Sequence, residues 1–143
     1  MTTIAFDGKT LAADRRATQG NLIRSTRKIM RVNGCLLGAA GEQSFAQALF
    51  AWWSNGAKPS EWPAHAADKD DWVGLMVVRP NRIIERYERT PHPLPVLDKT
   101  FAIGSGRDFA LAAMYLGCDA ARAVRIASKF DMASGNGVDT LTL

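Results

Sequence analysis

Two short turn sequences between apolar runs constrain the fold of this chain most strongly. Asp7-Gly8 separates the runs 3–7 and 10–14, and Asn33-Gly34 separates "KIMRV" from "CLLGAA". Such dipeptides adopt the positive-φ conformations that tight hairpins require, so each predicts a pair of antiparallel strands. A third hairpin is predicted from "WVGLMVV" and "RIIERYER", which are joined by "RPN". The following "TPHPLPVLD" is too rich in proline for a central strand.

Helical patterns follow the hairpins in blocks. "EQSFAQALFAWW" places large apolar residues at helical spacing and ends before Gly56. "RDFALAAMYLG" predicts a helix that stops at Gly117, and Asp119 is a good N-cap for a third helix, "AARAVRIASKF". "AKPSEWPAHAADKDD" predicts a loop or one short helix, whereas "FAIGSG" and "GVDTLTL" predict strands.

This order of elements predicts the α+β class, because strands come in antiparallel hairpins and helices in separate blocks. Two sheets with helices on their outer faces would bury all the apolar patterns. The 143 residues contain no internal repeat and no linker-like segment, so we expect a single domain over 1–143.

Composition excludes several classes of function. No run approaches the roughly 18 apolar residues of a membrane span, and the start lacks the pattern of a signal peptide, so no membrane association is expected. The net charge is only +4, and the basic cluster "RSTRKIMR" has no interleaved aromatic residues, which favours a solvated surface over nucleic-acid binding. Cys35 and Cys118 lack metal-ligand spacing, which predicts reduced thiols and a cytoplasmic location; a disulfide between them stays open.

Thr2 lies directly behind the initiator methionine. If Met1 is removed, the new α-amine has a pKa of about 8 and lies beside the Thr2 hydroxyl, where it could act as a general base. A nearby cation would lower the pKa of that amine. Asp14 ends the second predicted strand and Lys28 begins the third, so the two side chains can meet if these strands are neighbours. Each feature alone is more often structural.

Five segments together resemble one known family. "TTIAFDGKTLAADRRATQGN" is similar to the opening of mature proteasome β subunits and of the bacterial protease HslV. "RKIMRV" resembles the lysine strand of that family, and "LLGAAGEQSFAQALF" its glycine turn and first helix. "FAIGSGRDFALAAM" resembles its Gly-Ser-Gly strand end, and "DMASGNGVDTLTL" its Asp-x-x-Ser-Gly motif and last strand. The resemblance covers nearly the whole chain.

The resemblance implies a four-layer αββα sandwich of two antiparallel sheets, the N-terminal nucleophile hydrolase fold. It implies a threonine endopeptidase in which Thr2 is the nucleophile and its freed amine accepts the proton. Lys28 would tune that amine, Asp14 would hold Lys28, and Ser105 would relay the proton through a water. Further implied site residues are Asp131 and Ser134 as supports, the Gly38 amide as oxyanion donor, and Ala17, Leu36 and Ala40 around the substrate side chain.

The same resemblance implies polypeptide substrates, with cleavage after hydrophobic residues because the three pocket positions are apolar. It implies a ring of identical subunits, an ATPase unfoldase as a possible partner, and no metal or organic cofactor.

Three features depart from the family pattern. The segment between the first helix and "WVGLMVV" is short and contains Pro59 and Pro63, where relatives have a second long helix. The Arg15-Arg16 pair would either compete with Lys28 for Asp14 or line a positive groove. Met1 must be removed before Thr2 has a free amine. A small-molecule amidase and a non-catalytic scaffold therefore remain as alternatives.

Several residues also have purely structural interpretations. Ser105 would serve as a helix cap, and Asp131 and Ser134 would organise the turn before the last strand. Trp52 and Trp53 would either fill the core or mark a ring interface.

Overall fold

A computed structural model describes residues 2–63 and 74–143 of the chain. The described elements, in chain order, are β1 (Thr3–Phe6), β2 (Thr10–Asp14), β3 (Arg16–Gln19), β4 (Leu22–Ser25), β5 (Ile29–Val32), β6 (Cys35–Ala40), α1 (Gln43–Ser54), β7 (Gly74–Val78), β8 (Ile84–Tyr87), β9 (Leu94–Val96), β10 (Phe101–Gly104), α2 (Arg107–Tyr115), α3 (Ala120–Phe130) and β11 (Val138–Thr142). Within the segment predicted as a loop or one short helix, Pro59–Glu61 form a single 3₁₀ turn, and the part of this segment from 64 to 71 lies outside the described residues.

Nine of the described strands form two antiparallel sheets. One has the order β10–β1–β2–β11 and the other has the order β5–β6–β7–β8–β9. The predicted hairpins β1–β2, β5–β6 and β7–β8 are all present, and Asn33 and Gly34 adopt the positive φ values, 48° and 79°, that their turn requires. β9 carries the proline-rich sequence and lies at a sheet edge, as a strand containing Pro95 must.

A further hairpin, β3–β4, was missed from the sequence. It forms a separate ribbon in which Arg16 is opposite Ser25 and Gln19 is opposite Leu22. Most of its residues are exposed, so it has no buried face to impose an apolar alternation. The ribbon follows β2 directly in the chain, so its first residue, Arg16, lies two positions after Asp14.

Helices cover the outer faces of both sheets. Residues of α1 share a buried cluster with the outward side chains of β6 and β7, including Leu37 and Leu75. Residues of α2 and α3 pack on Ala5 and Ala12 in β1 and β2. A third cluster, which includes Ile4, lies between the sheets. The layers are therefore helix, sheet, sheet and helices.

Trp52 is a core residue. It is 4% exposed, and its ring makes edge contacts with Trp53, Trp62 and Tyr87. Its Nε1 donates a hydrogen bond to Lys58 O, which ties the chain after α1 back onto the helix. For Trp52 the core interpretation is therefore the observed one.

Cys35 and Cys118 are both free thiols, and Cys35 is buried, so no disulfide joins them. No helix among the described residues is long and apolar enough to cross a membrane.

Candidate active site

The candidate site lies where three neighbouring strands meet at one end of the four-stranded sheet. Thr2 precedes β1, Asp14 is the last residue of β2, and Ser105 follows β10. The register places Thr3 opposite Gly104, so the start of β1 and the end of β10 come together. Asp14 pairs with Val138, which brings the loop before β11 to the same place. The sheet register alone therefore assembles residues that are far apart in sequence.

Asp14 is the centre of the hydrogen-bond network. Its side chain is fully buried, and Lys28 Nζ lies 2.9 Å from its Oδ1. The same oxygen accepts from Thr3 N at 2.9 Å, and Oδ2 accepts from Arg16 N at 3.0 Å and Gly135 N at 2.9 Å. A buried carboxylate is tolerated because it receives these donors and a cation. The predicted meeting of Asp14 and Lys28 is present in the structure.

Lys28 is 7% exposed. Burial lowers the pKa of Lys28 below its ordinary value, although the Asp14 carboxylate opposes that shift. The Thr2 hydroxyl lies 3.4 Å from Asp14 Oδ1, the oxygen that also contacts Lys28 Nζ. The pair therefore places a positive charge within the immediate surroundings of Thr2.

A second network reaches Thr2 from the other side. Thr2 N donates to Ser105 Oγ at 3.2 Å, and Ser105 Oγ donates to Asp131 Oδ2 at 2.6 Å. Ser134 Oγ also donates to Asp131 Oδ2 at 2.6 Å and lies 2.7 Å from Thr3 Oγ1. Since the Ser134 proton goes to Asp131, Thr3 is the donor in the last contact.

Asp131 has a lowered pKa. Burial would raise the pKa of its carboxyl, but hydrogen bonds from Ser105, Ser134 and the Ala133 amide outweigh that effect. Asp131 and Ser134 also form the turn that their sequence predicts, since Ser134 N donates to Asp131 O at 3.1 Å. The structural interpretation of these two residues is therefore the observed one, and the same two side chains also hydrogen-bond to Ser105 and Thr3. Ser105 does not cap α2, because Gly106 occupies the N-cap position.

The glycines around Ser105 permit this geometry. A Cβ on Gly104 would lie 2.0 Å from Thr2 O, and a Cβ on Gly106 would lie 1.9 Å from Thr3 Oγ1. Only glycine allows the backbone on both sides of Ser105 to approach Thr2 and Thr3 so closely. The sequence analysis noted the Gly-Ser-Gly strand end but assigned a role only to Ser105, and it assigned none to Thr3.

Gly38 does not have the position predicted for an oxyanion donor. It lies inside β6, opposite Ile29 and Met76, so its backbone belongs to the sheet. A Cβ there would lie 2.9 Å from Ile4 Cγ2, and glycine is needed for the two sheets to pack. Gly41, just beyond β6, has φ of 118° and lines the same cavity as Thr2 and Lys28. Of these two glycines, Gly41 is therefore the one that borders the cavity beside Thr2.

The cavity beside Thr2 also corrects the predicted substrate pocket. Ala17 lines this cavity, together with Ala39 and Phe50. Leu36 and Ala40 are buried between the sheets and are not among the described residues that line the cavity. Successive strand residues point to opposite faces, so Ala39 faces the cavity because Ala40 faces the interior. The predictions for Leu36 and Ala40 were therefore wrong, because both residues lie on the face of β6 that points between the sheets.

The arginine pair does not compete for Asp14 through its side chains. Arg15 forms an ion pair with Asp139 on β11. Arg16 Nη1 donates to Met132 O at 2.8 Å, and Arg16 also borders the cavity. The Asp14 carboxylate accepts only the backbone amide of Arg16 among the groups that this pair offers.

No family model and no curated protein matches the sequence. Among solved structures, BPH of Thiobacillus denitrificans in complex with epoxomicin matches with a TM-score of 0.74 and 21% identity, over 100% of this chain and 98% of that chain. A second structure of that protein gives 0.73 and 22%, over 99% and 96%. Eukaryotic HslV from Trypanosoma brucei gives 0.73 and 24%, over 99% and 98%. These likenesses confirm the predicted αββα sandwich and, at the level of the fold, the resemblance to HslV-like proteins.

Proposed function

We propose that this chain is a threonine endopeptidase that uses Thr2 as an N-terminal nucleophile after removal of Met1. One observation carries the proposal. Thr2 lies between a Lys28–Asp14 pair, whose contact is 2.9 Å, and a Ser105–Asp131 pair, whose contact is 2.6 Å. A hydroxyl next to an amine needs a nearby cation and a fixed proton path to react at neutral pH, and these two pairs supply them.

Removal of Met1 converts the Thr2 nitrogen from an amide into a primary amine. The Thr2 hydroxyl gives its proton to this amine as Oγ adds to the carbonyl carbon of the scissile peptide bond. The resulting oxyanion needs a backbone donor, and we assign that role to the Gly41 amide because Gly41 borders the Thr2 cavity. The ammonium then protonates the leaving nitrogen, the carbon–nitrogen bond breaks, and an ester remains on Thr2.

Water completes the reaction by the reverse sequence of proton transfers. The amine takes a proton from the attacking water, and the hydroxide adds to the ester carbonyl. The ester bond breaks, the carboxylic acid product leaves, and the Thr2 oxygen regains the proton.

The surrounding charges suit an amine base. The Lys28 cation lowers the pKa of the amine, since two positive charges repel one another. Ser105 Oγ, 3.2 Å from Thr2 N, orients the amine and would pass a proton through a bridging water. Asp131 accepts from Ser105 and Ser134, so both hydroxyls are fixed.

The cavity supports polypeptide substrates with an apolar residue before the cleaved bond. Ala17, Ala39 and Phe50 form apolar parts of its wall beside Thr2. The BPH structure that matches this fold is a complex with epoxomicin, so we use that compound as the probe of the groove here. By the same likeness we propose a cytoplasmic ring of identical subunits and an ATPase unfoldase as a possible partner.

Peptide hydrolysis tests this proposal. Purified protein should cleave fluorogenic peptides in which an apolar residue precedes the fluorogenic leaving group, and Thr2→Ala should abolish the activity. Gel filtration should give a particle far above the 15.6 kDa of one chain. A monomer that hydrolyses only small amides, in a manner dependent on Thr2, would favour the amidase alternative. A well-folded protein without hydrolysis of either kind would favour the scaffold.

A further inference from the structure

The neighbouring arginines after Asp14 have different surroundings. Arg15 is exposed and pairs with Asp139, whereas Arg16 is half-buried and its guanidinium lies over the loop that follows α3. We call residues 131–136 the Asp131 loop, because it begins with Asp131 and contains Ser134. Nothing in the proposed chemistry uses the Arg16 side chain.

The Arg16 guanidinium contacts the Asp131 loop at three points. Nη1 donates to Met132 O at 2.8 Å, and Nε lies 3.4 Å from Asn136 Oδ1. Between these points the plane covers Gly135, where a Cβ would lie 2.6 Å from Nη2 and 2.8 Å from Cζ. Any residue larger than glycine at 135 would therefore displace the guanidinium or the loop.

The backbone of the arginine pair holds the same loop. Arg15 N donates to Gly135 O at 2.9 Å. Asp14 Oδ2 accepts from Arg16 N at 3.0 Å and from Gly135 N at 2.9 Å. The Arg16 guanidinium therefore adds to a set of hydrogen bonds between the end of β2 and the Asp131 loop, which also includes those of the buried Asp14 carboxylate.

We propose that Arg16 is a positioning residue whose guanidinium straps the Asp131 loop against the end of β2 and thereby fixes Asp131 and Ser134 relative to Thr2. The inference rests on the proposed function, because reactivity at Thr2 is its functional readout. Arg16 also borders the cavity, so the alternative role for its guanidinium would be to bind a substrate carboxylate. Two of its nitrogens already face acceptors of the loop, which favours the strap.

Epoxomicin is used here as a covalent inhibitor directed at Thr2. The kinetics of its reaction separate a positioning role of Arg16 from a role in substrate binding. Arg16→Met should lower the maximal rate of Thr2 modification about 10- to 100-fold, because a small displacement of supporting groups weakens a reacting centre by that order. The half-saturating epoxomicin concentration should stay unchanged. Arg16→Lys should behave like Arg16→Met, since an ammonium keeps the charge and loses the planar fork. Arg15→Met, the matched control, should react like wild type.

Gly135→Ala provides an independent test of the contact. In wild type the added methyl group meets the guanidinium, so both thermal stability and the modification rate should fall. In an Arg16→Ala background the methyl group has room, and Gly135→Ala should cost much less. This non-additivity would show that the two positions act on each other.

Several results would overturn the inference. Wild-type rates in Arg16→Met, full recovery by Arg16→Lys, or a rise only in the half-saturating concentration would each contradict the strap. If wild-type protein itself is not modified, the proposed function fails. In that case the thermal-unfolding cycle of Arg16 and Gly135 still decides the matter, and additive losses would contradict the strap.

Discussion

Lys28 Nζ and Asp14 Oδ1 lie 2.9 Å apart, and both side chains are buried beside Thr2. Asp14 keeps three backbone donors besides the lysine, which are the amides of Thr3, Arg16 and Gly135. Both oxygens of Asp14 therefore act as acceptors of backbone amides, and a change at Lys28 leaves these hydrogen bonds in place. That asymmetry gives the first prediction.

Asp14→Asn should destabilise the protein more than Lys28→Met. The asparagine variant turns one acceptor oxygen into an NH2 group that faces backbone N–H donors and also removes the negative charge beside Lys28, and breaking a buried pair costs about 3–5 kcal/mol. The methionine variant leaves Asp14 with its backbone donors, so its free energy of unfolding should fall less. Urea denaturation measures both losses. Equal losses, or a smaller loss for Asp14→Asn, would contradict this description of the pair.

Gly38→Ala and Gly41→Ala should fail in different ways. At Gly38 the new methyl group would collide with Ile4 between the sheets, and overpacking of this kind costs about 1–3 kcal/mol of stability. In an Ile4→Ala background, Gly38→Ala should cost less stability than it does in wild type, because the methyl group no longer meets the Ile4 side chain. Gly41→Ala should mainly slow modification of Thr2, because its φ of 118° suits glycine and its amide is the proposed oxyanion donor. Melting temperatures and inactivation rates distinguish the two, and a normal rate in folded Gly41→Ala would contradict the expectation that the amide at 41 needs the glycine conformation to serve as donor.

Asp131 should contribute stability that acid removes. Its folded pKa is lowered, because hydrogen bonds from Ser105, Ser134 and Ala133 N outweigh the effect of burial. A depressed carboxyl pKa adds stability above the unfolded value of about 3.9, and the contribution disappears as pH falls through the folded value. Wild type should therefore exceed Asp131→Asn in unfolding free energy at pH 7, and the difference should shrink below about pH 4. A difference that is constant with pH would contradict the assigned shift.

The sequence was sufficient for elements with strong local signals. Asp7-Gly8 and Asn33-Gly34 specify their turns by backbone conformation, and Asp119 caps α3 by accepting from Arg122 N. β3–β4 carries no such signal, because its exposed strands lack an apolar face. Its position is determined by contacts such as Arg15 N to Gly135 O, which join residues distant in sequence.

The candidate site shows the same division. Thr2, Asp14, Ser105, Asp131 and Ser134 come together because the register of the four-stranded sheet joins their segments, and Lys28, next to β5 of the other sheet, reaches Asp14 through its side chain. "LLGAAG" contains two glycines, and the sequence does not show which one serves sheet packing and which one ends the strand. Strand parity also reversed the positions expected for Leu36 and Ala40. The strap by Arg16 depends on a long side chain folding back, which local sequence patterns do not specify.

Intact-mass analysis after incubation with epoxomicin tests the central claim most directly, because it reports methionine removal and Thr2 modification together. We expect wild-type protein to lose the mass of Met1 and gain the mass of one inhibitor molecule per chain. Thr2→Ala should gain none, and Lys28→Met should gain it far more slowly. A folded wild-type protein that has lost Met1, gains no inhibitor mass and cleaves no peptide would contradict the account.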